Sequence, residues 1–165
     1  MSVPAKRQAV RSALRRNSAS RCAQHGATAV EFAMVFPMFF AIFYAIVTFS
    51  LIFVAQQSLT LATEEGARAA LSYQPASSVA AAITLRAKAA CNTATNMVAP
   101  MIGNAKCTTV PAACSFDSTM QCIAVTLNYN YASSPLVPNL PVLGAVLPNS
   151  LSSTATVQLN PINIL

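Results

Sequence analysis

The sequence predicts an α+β chain in which a long N-terminal transmembrane α-helix carries a small antiparallel β-sheet domain. Three observations predict it. Residues 27–55 form a run of 29 residues whose one charge is Glu31. The helical pattern continues past that run to about residue 72. Two later segments alternate apolar and polar residues with the period of half-buried strands.

The balance of residue types already places the chain near lipid. Of its 165 residues 55% are hydrophobic and 8% charged, against about a quarter charged in ordinary soluble domains. Charge is also uneven. Lys6, Arg7, Arg11, Arg15, Arg16 and Arg21 precede the apolar run, whereas from residue 27 onward four basic residues (Arg68, Arg86, Lys88, Lys106) match four acidic ones (Glu31, Glu64, Glu65, Asp117). The net charge of +6 therefore belongs to residues 1–26. A basic tail of this kind is able to bind nucleic acid, but it lacks interleaved aromatics and leads directly into a hydrophobic span. It reads as a positive-inside topology signal, with no nucleic-acid partner. The expected organisation is a basic cytosolic leader (1–26), a transmembrane segment (27–55), an extramembrane continuation of the helix (56–73) and a small α+β domain (74–165).

At about 1.5 Å per residue, 27–55 exceeds the roughly 30 Å of hydrocarbon in a bilayer. It is also longer than the apolar core of a cleaved secretory signal. Pro37 removes one backbone hydrogen bond near the start of the helix, which reads as a packing feature or a tolerated kink. Beyond the span, Leu59, Ala62, Gly66, Ala69 or Ala70, and Tyr73 recur at helical spacing. Glu64 and Glu65 stand four and three residues before Arg68, an order that supports a helix. A continuous helix over 28–72 would be about 65 Å long, with a small-residue stripe including Gly66 suited to close packing.

After Pro75, "PASSVAAAITLRAKAAC" predicts a second helix with Val79, Ile83 and Ala87 on one face. In "IAVTLNYNYA", Ile123, Val125, Leu127, Tyr129 and Tyr131 alternate with smaller or polar residues. "TATVQLN" repeats the pattern with Ala155, Val157 and Leu159, giving an antiparallel pair. The connection from Ser133 to Ser152 holds Pro135, Pro138, Pro141 and Pro148 among Leu and Val. It is too apolar for a disordered linker and is expected to pack on its own domain or on a neighbouring subunit.

Cys22 lies in the basic tail, and Cys91, Cys107, Cys114 and Cys122 lie beyond the span. An even number of cysteines in an oxidising compartment reads as two disulfides. Gaps of 15, 6 and 7 residues do not suit the close cysteine pairs of zinc sites. Three connectivities are open; short loops favour Cys91 with Cys107 and Cys114 with Cys122. No histidine occurs beyond residue 26 and no glycine-rich phosphate loop is present, so neither a catalytic triad nor a cofactor is expected, and the chain is not read as an enzyme.

Glu31 remains. A carboxylate within a membrane span is costly unless it lies near the surface or finds a partner. Cleavage between Gly26 and Ala27 would supply one, because the new α-amino group, with an ordinary pKa near 8, is cationic at neutral pH. A neighbouring subunit's Ala27 amine would then pair with Glu31 in the assembled state. The apolar positions Phe32, Phe36, Phe39 or Phe40, Phe43, Ile46 or Val47, and Ser50 would offer a packing face, or equally a lipid-facing one.

In this light "GATAVEFAMVFP" resembles the processing site of type IV pilin-like proteins, with Gly26 before the scissile bond, Glu31 fifth after it, and Phe32 where the tight-adherence (Flp) subclass has an aromatic. "EFAMVFPMFFAIFYAIV" and "ATEEGARAAL" resemble the TadE-like minor pseudopilins, Pro37 and the Ala-rich helix end included. The strand and Pro/Leu loop of "VTLNYNYASSPLVPNLPVLGAVLP" also suit that family. The 26-residue leader and the four cysteines beyond the span are not part of the resemblance. It implies a pilin-like fold and a structural subunit in the biogenesis of a tight-adherence pilus for surface attachment. It further implies a location in the bacterial inner membrane with the C-terminal domain periplasmic. The implied partners are a prepilin peptidase, other pilin or pseudopilin subunits, and the tight-adherence secretion machinery. The rival reading is an uncleaved, signal-anchored envelope protein whose exported domain binds a ligand or partner.

Overall fold

The computed structural model describes residues 24–138, 146–160, 162 and 164, with Gln24, His25 and Ala27 described by backbone alone. Its elements are helix α1 (Gln24–Ala69), helix α2 (Val79–Val98) and strands β1 (Lys106–Ala113), β2 (Gln121–Tyr129) and β3 (Leu151–Leu159). The architecture is α+β: a long apolar helix followed by a three-stranded antiparallel sheet in the order β1-β2-β3. The chain divides into two units at residues 46 and 47.

The first unit contributes α1 up to Ile46. From Val30 to Ile46 its Val, Ile, Met and Phe side chains are exposed, the pattern of a helix whose surroundings are themselves apolar. The helix runs through Pro37 without interruption, although Pro37 has no N–H to offer the carbonyl one turn earlier.

The second unit, Val47–Leu165, holds the core. Here α1 becomes one-sided: Thr48, Ile52, Ala55, Leu59, Ala62, Thr63, Ala67 and Ala70 are buried, repeating every three to four residues as a packed helix face requires. The expected stripe thus holds as far as Ala70, but α1 stops at Ala69 and Tyr73 is 67% exposed. Gly66 sits where α1 meets α2 and β2. A Cβ built there would lie 2.8 Å from the Ala90 carbonyl oxygen, 2.9 Å from the Ala94 Cβ and 3.5 Å from a Val125 methyl.

Helix α2 opens at Ser78, whose hydroxyl accepts from the Ala81 N–H at 3.3 Å, capping one of the unpaired first-turn donors. Its buried face is Ala82, Arg86, Ala87, Ala90, Ala94 and Val98. This corrects the expected face of Val79, Ile83 and Ala87, because Val79 is exposed and Ile83 only half-buried. Where Gly66 of α1 meets α2 it lies against Ala90 and Ala94, and so close an approach selects the small residues of α2 over its bulkier ones.

In β2, Ile123, Val125, Leu127 and Tyr129 are buried and their neighbours are more exposed, so the period-2 reading describes the strand. Tyr131, just beyond it, is buried as well. Opposite them, β3 turns Leu151, Ser153, Ala155, Val157 and Leu159 inward. Of the Pro/Leu connection, Leu136 and Leu147 pack against the core of this unit, while Leu140, Pro141, Val142 and Leu143 lie outside the described residues, as do Cys22 and the basic residues up to Arg21.

Strand β1 has no sequence signature of its own. "KCTTVPAA" lacks a run of large apolar residues and contains Pro111, which an edge strand tolerates because one row of its N–H groups faces outward. Two disulfides fix it: Cys91–Cys107 ties it to α2, and Cys114–Cys122 closes the β1–β2 connection. Closing a loop of this size contributes about 3 kcal/mol by restricting the unfolded chain. The Cys91→Ser, Cys107→Ser pair is therefore expected to lose about 3 kcal/mol of stability and to lose hydrogen-exchange protection in β1 before the β2–β3 pair loses its own.

Candidate functional site

The candidate site is the N-terminal half of α1. It is a surface of one helix, built from residues in sequence. Gly26 lies close to the beginning of the described helix, is exposed, and has no atom within 4 Å of where a Cβ would stand. Among the described residues, its glycine identity therefore answers no packing constraint. Glycine does weaken helix by about 1 kcal/mol relative to alanine, and the amides of a first turn have no helical acceptor. Unwinding the backbone at Gly26 and Ala27 costs little compared with unwinding the middle of α1.

Glu31 follows Ala27 by four residues, the spacing that puts two positions on one face of a helix. Its side chain is exposed, and among the described residues it has neither a hydrogen bond nor an ion pair. Phe32 begins an exposed aromatic ladder. The Phe32 and Phe36 rings stack with centroids 5.5 Å apart, Phe36 and Phe40 at 6.4 Å, and Phe39 and Phe43 at 6.5 Å. Offset-stacked pairs at such distances add to apolar burial once the surface is covered. The phenylalanines do not form a single stripe, because Val30, Met34, Val35, Met38 and Ile42 fill the remaining circumference.

Pro37 and Gly66 were both expected to serve helix packing. Only Gly66 meets other elements within the described chain. It belongs to the small domain, where Glu65 pairs with Arg68 at 2.9 Å on the solvent side of the helix. Gln56 donates to the Ser152 carbonyl at 2.9 Å, and the Thr63 and Ser153 hydroxyls meet at 3.1 Å. These bonds join the helix to the beginning of β3.

Arg86 carries a role that charge counting missed. It is 4% exposed, and its guanidinium donates to the carbonyls of Ile164 at 3.1 Å and Leu71 at 3.4 Å. A buried cation is held there by backbone acceptors, one of them just past the end of α1, where carbonyls lack helical donors. Its spacing of four residues from both Ala82 and Ala90 was the available signal.

Elsewhere, the Thr119 hydroxyl and then its N–H donate to Asp117, holding that exposed carboxyl below the usual range. Burial pushes the Tyr129 phenol up. All four cysteines beyond the span are paired in disulfides, and among the described residues no cluster of three His, Cys, Asp or Glu is placed to hold a metal.

One helix among the described residues, Thr28–Ala69, is long and apolar enough to cross a membrane. Residues 26–68 match the family model described as TadE-like protein. The match begins at Gly26, takes in Glu31, the phenylalanine ladder and Pro37, and ends two residues past Gly66. No curated protein and no solved structure matches the chain.

Proposed function

We propose, from a chain whose residues 26–68 are TadE-like and so associate it with the tight-adherence pilus, that it is a structural, pseudopilin-type subunit cut by a prepilin peptidase between Gly26 and Ala27. The observation that carries this reading is the coincidence of three features at one end of α1: among the described residues, a glycine with no packing contact and, one turn later, a carboxylate with no partner, on a helix with an apolar surface on all sides. Each is a liability in an isolated chain. Together they suit a helix that is trimmed, charged at its new end, and surrounded by lipid and other helices.

In this reading the span within residues 27–55 crosses the inner membrane, the leader stays cytosolic and the small domain is periplasmic. Twenty helical residues reach about 30 Å, one hydrocarbon thickness. The work is assembly, not chemistry. Glu31 sets the depth at which a neighbouring subunit's Ala27 amine docks, Phe32 and the ladder behind it supply apolar contact, and Pro37 leaves a free carbonyl at which a neighbouring helix can settle.

Cleavage is tested by sequencing the N-terminus of the membrane-extracted protein and weighing it. The expected N-terminus is Ala27, and Gly26→Val is expected to accumulate the full-length precursor because a β-branched side chain stiffens the scissile turn and crowds the peptidase. A native chain that keeps its basic leader while supporting piliation would leave instead the uncleaved, signal-anchored envelope protein.

A further inference from the structure

We propose that the small domain binds a carboxylate-bearing sugar, of the uronic-acid class, in the cleft between the start of β1 and the turn that follows β2. The cleft is about 410 Å³ and is lined by Asn104, Ala105, Lys106, Asn130, Ser133 and Ser134. It is independent of the α1 surface, and the inference requires neither cleavage nor pilus assembly.

The turn is built to hold its polar groups still. Asn130 accepts through Oδ1 from the Ser133 N–H at 3.1 Å, and its carbonyl accepts from the Ser133 hydroxyl at 3.1 Å and the Ser134 N–H at 3.3 Å. The Tyr129 hydroxyl donates to the Ser134 carbonyl and pins the far end. These bonds occupy acceptors. With Oδ1 committed to the turn, the Asn130 amide presents its NH2 end outward. Across the cleft the Asn104 Nδ2 reaches the Ser134 hydroxyl at 3.5 Å, which leaves its second N–H for a ligand.

Lys106 completes the set. It is exposed and has no ion pair or hydrogen bond among the described residues, and none of the four carboxylates Glu31, Glu64, Glu65 and Asp117 lines the cleft. Lys106 and the two asparagines line a space that none of the Asp or Glu side chains lines, a donor-rich lining that suits a carboxylate-bearing ligand. The rest of the lining distinguishes a sugar from an acidic peptide. Among the described residues it is, apart from Ala105, amide and hydroxyl, without the apolar anchor on which peptide recognition depends, whereas a uronate presents ring hydroxyls beside its carboxylate.

The test uses the full chain in neutral detergent micelles, with digalacturonate as probe and galactobiose and an acetylated Glu-Glu peptide amide as comparators. Binding is read by calorimetry and by the 15N-resolved side-chain NH2 signals of Asn104 and Asn130. Digalacturonate is expected to shift both signals and to bind at least about tenfold more tightly than galactobiose, with the affinity falling as salt is raised. Lys106→Gln is expected to weaken it by about tenfold or more with the rest of the amide spectrum unchanged, and Asn104→Ala to weaken it by a smaller factor. The proposal is overturned if digalacturonate moves neither signal, if Lys106→Gln binds as the parent does, or if the acidic peptide binds as well as the uronate.

Discussion

Gly66→Leu is expected to abolish folding of the small domain, and Gly66→Ala to destabilise it despite improving the helix. Alanine in a helix interior is favoured over glycine by about 1 kcal/mol. Against that stands the space at this position, where the new methyl would lie 2.8 Å from the Ala90 carbonyl oxygen and 2.9 Å from the Ala94 Cβ. Neither is the end of a flexible side chain. One is helix backbone and the other a Cβ fixed to it, so relief requires α1 and α2 to move apart.

Overpacking of a well-filled interior costs about 1–3 kcal/mol for small insertions. Less the gain of about 1 kcal/mol in helix propensity, the net expectation for Gly66→Ala is a loss of up to about 2 kcal/mol. For Gly66→Leu, whose three further carbons have no space between Ala90 and Val125, the loss exceeds about 3 kcal/mol, a large share of what holds a domain of this size. Thermal unfolding of the detergent-solubilised chain, with protease resistance of residues 47–165 as a second readout, measures both. Ala94→Gly removes one of the two collisions and is expected to recover part of the Gly66→Ala loss, a coupling that two independent effects on helix propensity would not show. If Gly66→Ala unfolds at a higher temperature than the parent, the close approach of the helices is not what makes this residue glycine.

The same contact shows what could be read from residue order alone. The Ala62, Gly66 and Ala70 positions announced a close-packed stripe because their spacing is that of one helix face and their size leaves little else to explain. Tyr129 and the alternating residues before it announced β2 for the corresponding reason in a strand. The face of α2 differs from the expected one, since Val79 and Ile83 are the larger apolar residues, and only the close approach of Gly66 to Ala90 and Ala94 shows why the small residues form the buried set. Arg86 sits among them because two carbonyls, from Leu71 and Ile164, converge on its guanidinium. Neither belongs to α2, and no local pattern encodes them.

Strand β1 was not legible at all. Its pairing depends on β2 beside it and on cysteines tied to partners outside the strand, and Pro111 within it argues locally against a strand. At the other end of the chain the order of residues was informative for the opposite reason. A charge in a 29-residue apolar run is conspicuous without any fold around it, and α1 places Glu31 on an exposed surface with no competing partner among the described residues.

That isolation gives Glu31→Gln its expected effect. If the cation that answers Glu31 is the amine created at Ala27, the substitution leaves membrane insertion and cleavage intact and fails at assembly. Two unit charges at about 4 Å in an effective dielectric near 20 attract by about 4 kcal/mol, from which desolvation of both groups must be subtracted. A remainder of about 1–2 kcal/mol per contact already corresponds to about five- to thirtyfold in the association of two subunits. Glu31→Gln is therefore expected to mature to Ala27 at the parental rate while piliation, or co-isolation with other pilus subunits, falls by about fivefold or more. Glu31→Asp, with the charge kept on a shorter arm, is expected to fall between them.

The decisive comparison is made on the uncleaved background. In Gly26→Val the amine at Ala27 does not exist, so Glu31 has nothing to lose. The double variant Gly26→Val, Glu31→Gln should then assemble no worse than Gly26→Val alone, and the two substitutions should be strongly non-additive. Equal effects of Glu31→Gln in the cleaved and uncleaved chains would separate the carboxylate from the new N-terminus, and Glu31 would have to be explained by a partner on a different subunit surface.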